Sequence, residues 1–237
     1  MALKLDKINS HKKFPLNGSG QDYFVGDIHG HHQLLLQQLA EVNFNFETDR
    51  LFAVGDLIDR GIASEKCIEL LIEPWFHSVL GNHEHLFLQG FENNVCWQVL
   101  IENGGGWLEN WLDSPSKLLA WAHLMRIKMP LAITVKTALG EIGITHADAP
   151  LNWKSLATTD ISNIAPYIWQ RQNFIAHNNA QDKTSICGID VVFHGHNQVN
   201  TVKVINNQLW ADTIQKTGRL SIMSANDIFD LIKNNKP

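Results

Sequence analysis

Tyr23-Phe24-Val25-Gly26-Asp27-Ile28-His29-Gly30 (YFVGDIHG) is the stretch on which the reading of this chain turns. Three apolar residues with no polar alternation read as a short strand covered on both faces, and Gly26 ends it. Leu35, Leu39 and Val42 follow at i, i+4 and i+7, the stripe of an amphipathic helix. The same unit then recurs. Leu51-Phe52-Ala53-Val54 is a second buried strand ended by Gly55, and Ser64 is placed to cap a helix carrying Ile68, Leu71 and Ile72 that Pro74 closes. Trp75 to Leu80 reads as a third strand, with a helical stretch from His83 to about Phe91. Strand–helix repeated three times over residues 22–91 predicts an α/β sheet with right-handed crossovers.

Outward from this unit the pattern is looser. Residues 1–20 read as an arm or edge strand. Residues 95–126 read as helical and Trp-rich, broken at Gly104-Gly105-Gly106, with Trp107 and Trp111 at i, i+4 assigned to helix packing. Strands are expected near 131–137 and 140–146, and residues 154–180 are mixed and polar. Ile189 to Phe193 reads as another buried strand. Asn206-Asn207 turns a hairpin between Thr201–Ile205 and Gln208–Ala211, and a strand near 220–224 leads to a short C-terminal helix. No linker or repeat divides the 237 residues, so one domain is expected.

Composition narrows the function. The chain is 44% hydrophobic and 18% charged with a net charge of −5, which excludes a disordered chain and makes a nucleic-acid binder a poor fit. Cys67, Cys96 and Cys187 are odd in number and widely spaced, so they read as reduced thiols in a cytoplasmic protein. The N-terminus lacks the apolar run of a secretory signal, and no stretch has a membrane span's length. Twelve histidines against two tyrosines point towards metal or proton chemistry.

The polar residues that matter fall at the C-terminal ends of the strands, the edge where open α/β sheets bind ligands. They are Gly26-Asp27-Ile28-His29-Gly30, Gly55-Asp56-Leu57-Ile58-Asp59-Arg60-Gly61, Gly81-Asn82-His83-Glu84, Thr145-His146-Ala147-Asp148 and His194-Gly195-His196-Asn197. Each alone has a plain reading: Asp-x-His as a surface loop, Asn82 as a helix cap, His146 as a hydrogen-bonded structural group. Together they offer too many ligands for one tetrahedral ion. Asp27, His29, Asp56, Asn82, His146 and His196 suit two ions about 3.5–4 Å apart bridged by one carboxylate, with Asp56 the bridge. Oxygen and imidazole donors without thiolate suit Mn, Fe or Zn alike, and donor type does not choose among them; the ion expected is Mn²⁺, with Fe or Zn as alternatives.

GDIHG, GDLIDRG and GNHE, followed by a His-containing strand end and a late Gly-His, resemble the phosphoprotein phosphatase family of metallophosphoesterases, in particular its bacteriophage-lambda-type serine/threonine phosphatases and their bacterial relatives. The likeness extends through NGGGW, HADAP, IWQR and GIDVVFHGH. It implies a calcineurin-like fold of two packed mixed β-sheets flanked by helices. It also implies hydrolysis of phosphate monoesters on a phosphorylated protein or peptide by a hydroxide activated at two divalent ions. By that resemblance Asp27 and His29 hold one ion and Asn82, His146 and His196 the other, His196 being preferred to His194. His83 is then the general acid, Asp59 the carboxylate that orients it, and Arg60 and Arg171 the phosphate-binding arginines. His31, His32 and His85 lie near the site without an assigned role, and His11, His123 and His177 read as solvent-facing.

Three positions depart from the family pattern. Leu80 stands where an Arg is usual, Asn197-Gln198 replaces Thr-Pro, and Ile214 replaces the Gly after Asp-Thr. Two other readings stay open. A dinucleoside-tetraphosphate hydrolase would lack the Asp of the DRG motif and carry Asp after GNH, where this chain has Asp59 and Glu84. A catalytically silent scaffold would have lost ligands.

Overall fold

The computed structural model describes residues 8–157, 163–178 and 185–235, with no side-chain description for 157 or 176–178. The reading of His177 concerns a side chain that is not described, and residues 158–162 and 179–180 of the polar stretch lie outside the described residues. The strands are β1 (His11–Phe14), β2 (Asp22–Val25), β3 (Arg50–Ala53), β4 (Phe76–Ser78), β5 (Ala132–Lys136), β6 (Glu141–Thr145), β7 (Val191–Gln198), β8 (Lys203–Ile205), β9 (Gln208–Asp212) and β10 (Ile222–Ser224). The helices are α1 (His32–Glu41), α2 (Ser64–Glu69), α3 (Asn82–Gln89), α4 (Asn94–Leu100), α5 (Pro115–Lys128), α6 (Ala165–Ile168), α7 (Gln172–Asn178), α8 (Ile214–Thr217) and α9 (Ala225–Asn234).

Two mixed sheets form. One runs β10-β2-β3-β4, with β2, β3 and β4 parallel and β10 antiparallel to β2. The other runs β1-β5-β6-β7-β9-β8, antiparallel at β5–β6 and β8–β9 and parallel elsewhere. Period-two alternation explains the unbroken apolar runs of β2 and β3. Phe24, Phe52 and Val54 face Ile133, Ile144, Phe193 and Leu209 of the second sheet. Tyr23, Val25, Leu51 and Ala53 face the other way, among Leu35 and Leu39 of α1 and Ile68 of α2. Both faces are covered, as parallel strands require. The expected architecture of two packed sheets flanked by helices is the one observed.

Local differences have physical causes. Strand β4 is shorter than Trp75–Leu80, because Trp75 turns into an aromatic group with Phe44 and Phe46. Ser64 is the first residue of α2 and makes no cap bond; its Oγ instead accepts the Asp59 N–H at 2.9 Å. Strand β7 continues through His194 and His196, and its register with β9 breaks between His194 and Gln198. The arm contributes β1 as an edge strand. His11 is half-buried rather than solvent-facing: its Nε2 meets Thr134 Oγ1 at 2.7 Å. Among the described residues no helix is long and apolar enough to cross a membrane.

His77 of β4 lies against the rings of Phe14 and Phe52, and burial, helped by Lys12 and Arg50, lowers its pKa to about 3. It is neutral when folded, whereas the unfolded chain takes up a proton near pH 6.5. The stability from keeping it neutral is therefore fully present above about pH 6.5 and is lost as pH falls towards 3. His77→Phe should narrow the gap between the unfolding temperatures measured at pH 7 and pH 5. An unchanged gap would show that this ring carries no part of the acid sensitivity.

Candidate active site

The loops after β2, β3, β4 and β6, together with the break in β7, meet at one edge of the two sheets. They bring all six expected ligands together. Asp56 Oδ2 lies at the centre, 3.7 Å from His29 Nε2, 3.4 Å from His146 Nε2 and 3.8 Å from His83 Nε2. Asp27 Oδ2 is 3.9 Å from His29 Nε2 on one side. On the other, Asn82 Oδ1 is 2.9 Å from His146 Nε2 and 3.0 Å from His196 Nδ1. His29–Asp56–His83 and Asp56–His146–His196 are each close enough to share an ion.

The second ring nitrogen of each histidine sets its tautomer. His29 Nδ1 donates to Ile58 O, His146 Nδ1 to Val54 O and His196 Nε2 to Trp169 O. The lone pairs of His29 Nε2, His146 Nε2 and His196 Nδ1 are left pointing inward. Burial lowers His29 and His196 to about 3 and His146 in the same direction, so all three rings are neutral at neutral pH, the form that can bind a metal.

The donor set fits divalent cations. His146 Nε2, His196 Nδ1 and Asn82 Oδ1 converge as three acceptors with no proton to share. Their separations match those of ligands about 2.1 Å from one ion, which lie about 3.0–3.4 Å apart. Asp27, Asp56 and Asp212 crowd together with like charge; burial and its two neighbours raise Asp27 well above the usual carboxylate range. Burial and Asp56 push Asp212 up to about 6, and its Oδ1 is buried without a hydrogen bond. Cations at this point would satisfy all of these groups together. A Cβ at Gly195 would overlap Asp27 Oδ1, and one at Gly81 would overlap Asp56 Oδ1, so both glycines give the carboxylates room.

Backbone strain is concentrated here. Seven described non-glycine residues have positive φ, and five of them are His29, Asp56, Asp59, Arg60 and His196. Each costs about 1–2 kcal/mol. The φ of +63° at His196 accompanies the break in β7 and turns its ring towards Asn82, while both Asp27 oxygens accept the His196 N–H. His194 is turned away to Thr145 and Gln208 and stacks on Trp210.

Next to this cluster His83 Nδ1 meets Asp59 Oδ2 at 2.5 Å. Burial alone would lower His83; the Asp56 charge and the Asp59 bond outweigh it and raise its pKa. Arg60 donates to His29 Nε2 at 2.6 Å and to His83 Nε2 at 3.1 Å, spanning the opening of the site. Arg171, between α6 and α7, is exposed and donates to Asn197 Oδ1 at 3.2 Å. Leu80 is buried in the core and gives its N–H to Pro130 O, so its side chain is spent on packing.

Sequence reasoning missed three residues. Glu84, noted only as a motif choice, accepts the N–H groups of Asp56, Leu57, Ile58 and Gly81 and pins the Asp56 loop to the start of α3. Its position three residues after the N-cap Gly81 lets the carboxylate reach back to the Gly81 N–H, the half of a capping box that a glycine N-cap permits. Asp212 ends β9, the same strand-end signature as the ligands. Trp107 donates its indole N–H to Asp59 Oδ1 at 2.6 Å, and so is more than helix packing. Glu84→Ala should destabilise the fold by about 3 kcal/mol or more, since each buried donor left unpaired costs about 1–3 kcal/mol. Urea unfolding checks this, and a change under about 1 kcal/mol would contradict the pinning role.

A family model described as calcineurin-like phosphoesterase matches residues 23–200, a span that holds all six candidate ligands together with Asp59, Arg60, His83 and Arg171. The chain belongs to the calcineurin-like phosphoesterase family. As a member it is a phosphoester hydrolase. It is 34% identical over 194 residues to serine/threonine-protein phosphatase 2 of Salmonella typhimurium, covering 81% of this chain and 86% of that one. It is also 31% identical over 157 residues to a symmetrical bis(5'-nucleosyl)-tetraphosphatase of Shewanella loihica, covering 65% of this chain and 54% of that protein. Among solved structures, one described as a putative diadenosine tetraphosphatase shares the fold of this phosphoesterase, with a TM-score of 0.61, 22% identity and 92% and 94% coverage.

Proposed function

We propose that this phosphoesterase is a metal-dependent protein phosphatase that removes phosphate from phosphoserine and phosphothreonine, with Mn²⁺ as the ion of first choice and Fe or Zn as alternatives. The buried Asp59–His83 pair beside the ligand cluster carries the reading. A serine or threonine alkoxide is a strongly basic leaving group and needs a proton, whereas a nucleotide leaves as a phosphate of low pKa and needs none. An imidazole held by a carboxylate is worth most for the first reaction.

Asp27, His29, Asp56, Asn82, His146 and His196 are the groups assigned to hold two divalent ions. Bound there, the ions supply Lewis acidity and lower the pKa of water from about 15.7 towards about 7, roughly 12 kcal/mol of easier deprotonation. The chain's own residues do the rest. Arg60 turns from His29 and His83 to the phosphoryl oxygens, which its fork of donors fits, and Arg171 reaches the same group from the far side. Release of His83 Nε2 from Arg60 lets it carry a proton to the leaving oxygen, while Asp59 holds Nδ1–H and favours the charged ring.

Release of phosphate from a phosphoserine peptide and hydrolysis of a dinucleoside tetraphosphate should be measured side by side with Mn²⁺ present. Faster turnover of the peptide supports the proposal, and faster turnover of the nucleotide replaces it with the tetraphosphatase reading. Bound metal with turnover of neither identifies a scaffold.

A further inference from the structure

We infer that Trp107 is a positioning residue for proton delivery: its indole N–H fixes Asp59, and through Asp59 the His83 ring. The inference rests on the reading of His83 as the general acid. Asp59 is fully buried, and both of its oxygens are used, Oδ1 by Trp107 Nε1 at 2.6 Å and Oδ2 by His83 Nδ1 at 2.5 Å. Its N–H is spent on Ser64 Oγ. Without the indole donor the carboxylate could rotate about its own axis, and the imidazole it orients would follow. A charge-assisted bond from a rigid, packed ring prevents this.

The indole is itself held. Its ring packs on Phe87 with centroids 6.1 Å apart and 22° between planes, and meets Trp121 edge-on at 5.7 Å. The backbone before it grips the neighbouring residue as well. Gly104 O accepts the Arg60 N–H at 2.8 Å, and Gly104 has φ +102°. A Cβ there would stand 2.7 Å from Arg60 Cγ, so only glycine allows this approach. Asn103-Gly104-Gly105-Gly106-Trp107 thus closes over the loop at Asp59-Arg60, gripping Arg60 through the main chain and Asp59 through the indole.

Trp107→Phe keeps the aromatic packing and deletes the donor. On a phosphoserine peptide kcat should fall about tenfold, a part of the 10²–10⁴-fold that a positioned acid provides, with KM unchanged. On an aryl phosphate whose phenol leaves without a proton, the fall should be about twofold or less. In a His83→Asn background the substitution should cost the peptide reaction nothing further. Equal losses on both esters, or a full additional loss in the His83→Asn background, would overturn the inference and return Trp107 to packing. Proton NMR tests it apart from turnover. The Trp107 indole proton should resonate downfield and shift in Asp59→Asn, and the His83 Nδ1 proton should shift in Trp107→Phe. Unmoved resonances overturn the inference whichever ester is hydrolysed, whereas moved resonances in a protein that hydrolyses neither ester would support it and refute only the phosphatase reading.

Discussion

Asp56→Asn should strip the protein of bound divalent metal and of hydrolytic activity in the same step. Asp56 Oδ2 is the atom nearest to both halves of the ligand cluster, facing His29 on one side and His146 on the other. An amide at this position removes the charge and turns a donor NH₂ or a neutral oxygen towards the ions. Outer-shell partners of metal ligands are worth about 10–100-fold in affinity, so losing a shared ligand should cost more than about 100-fold. The loss would not reflect unfolding. Against the effect of burial, the surrounding histidines hold the Asp56 carboxyl below the usual carboxylate range, so the fold favours its charge, but Asn keeps an Oδ1 to accept the His83 N–H at 3.1 Å. In chelator the variant should still unfold in one cooperative transition, at a somewhat lower temperature than the parent. Metal content after dialysis and phosphate release are the two readings, and a variant that keeps both ions would remove Asp56 from the bridging position.

His83→Asn should separate what Asp56→Asn joins. His83 Nδ1 is committed to Asp59, and its Nε2 faces Arg60 at the opening of the site, 3.8 Å from Asp56 Oδ2. The variant should therefore keep both ions, because the six assigned ligands remain. Its kcat on a phosphoserine peptide should fall by about 10²–10⁴-fold, the usual contribution of a positioned acid. An aryl phosphate should be spared most of that loss. A variant as active as the parent on the peptide would show that the proton comes from elsewhere, and a variant that loses an ion would make His83 a ligand.

Legibility followed the range of the interactions. Strands β2 and β3 could be read because both faces are covered and their apolar runs are unbroken. The candidate ligands could be read because each sits just past a strand end, where Gly or His marks the turn. The choice between His194 and His196 depends on a broken register and a positive φ inside β7, which no local pattern records. Trp107 was opaque for a different reason: its partner lies 48 residues away, and i, i+4 spacing with Trp111 is what ordinary helix packing looks like. Ser64 had the composition of a cap, but its hydroxyl was needed by Asp59. Leu80 reads as a lost phosphate contact by resemblance, and its burial in the core gives that position a packing role instead.

Six side chains are assigned here to hold two cations, one on either side of the Asp56 carboxylate. Anomalous diffraction from crystals grown with Mn²⁺ tests this assignment most directly. Two peaks about 3.5–4 Å apart with Asp56 Oδ2 between them are the predicted result. A single peak, or two peaks that do not share Asp56, would contradict it.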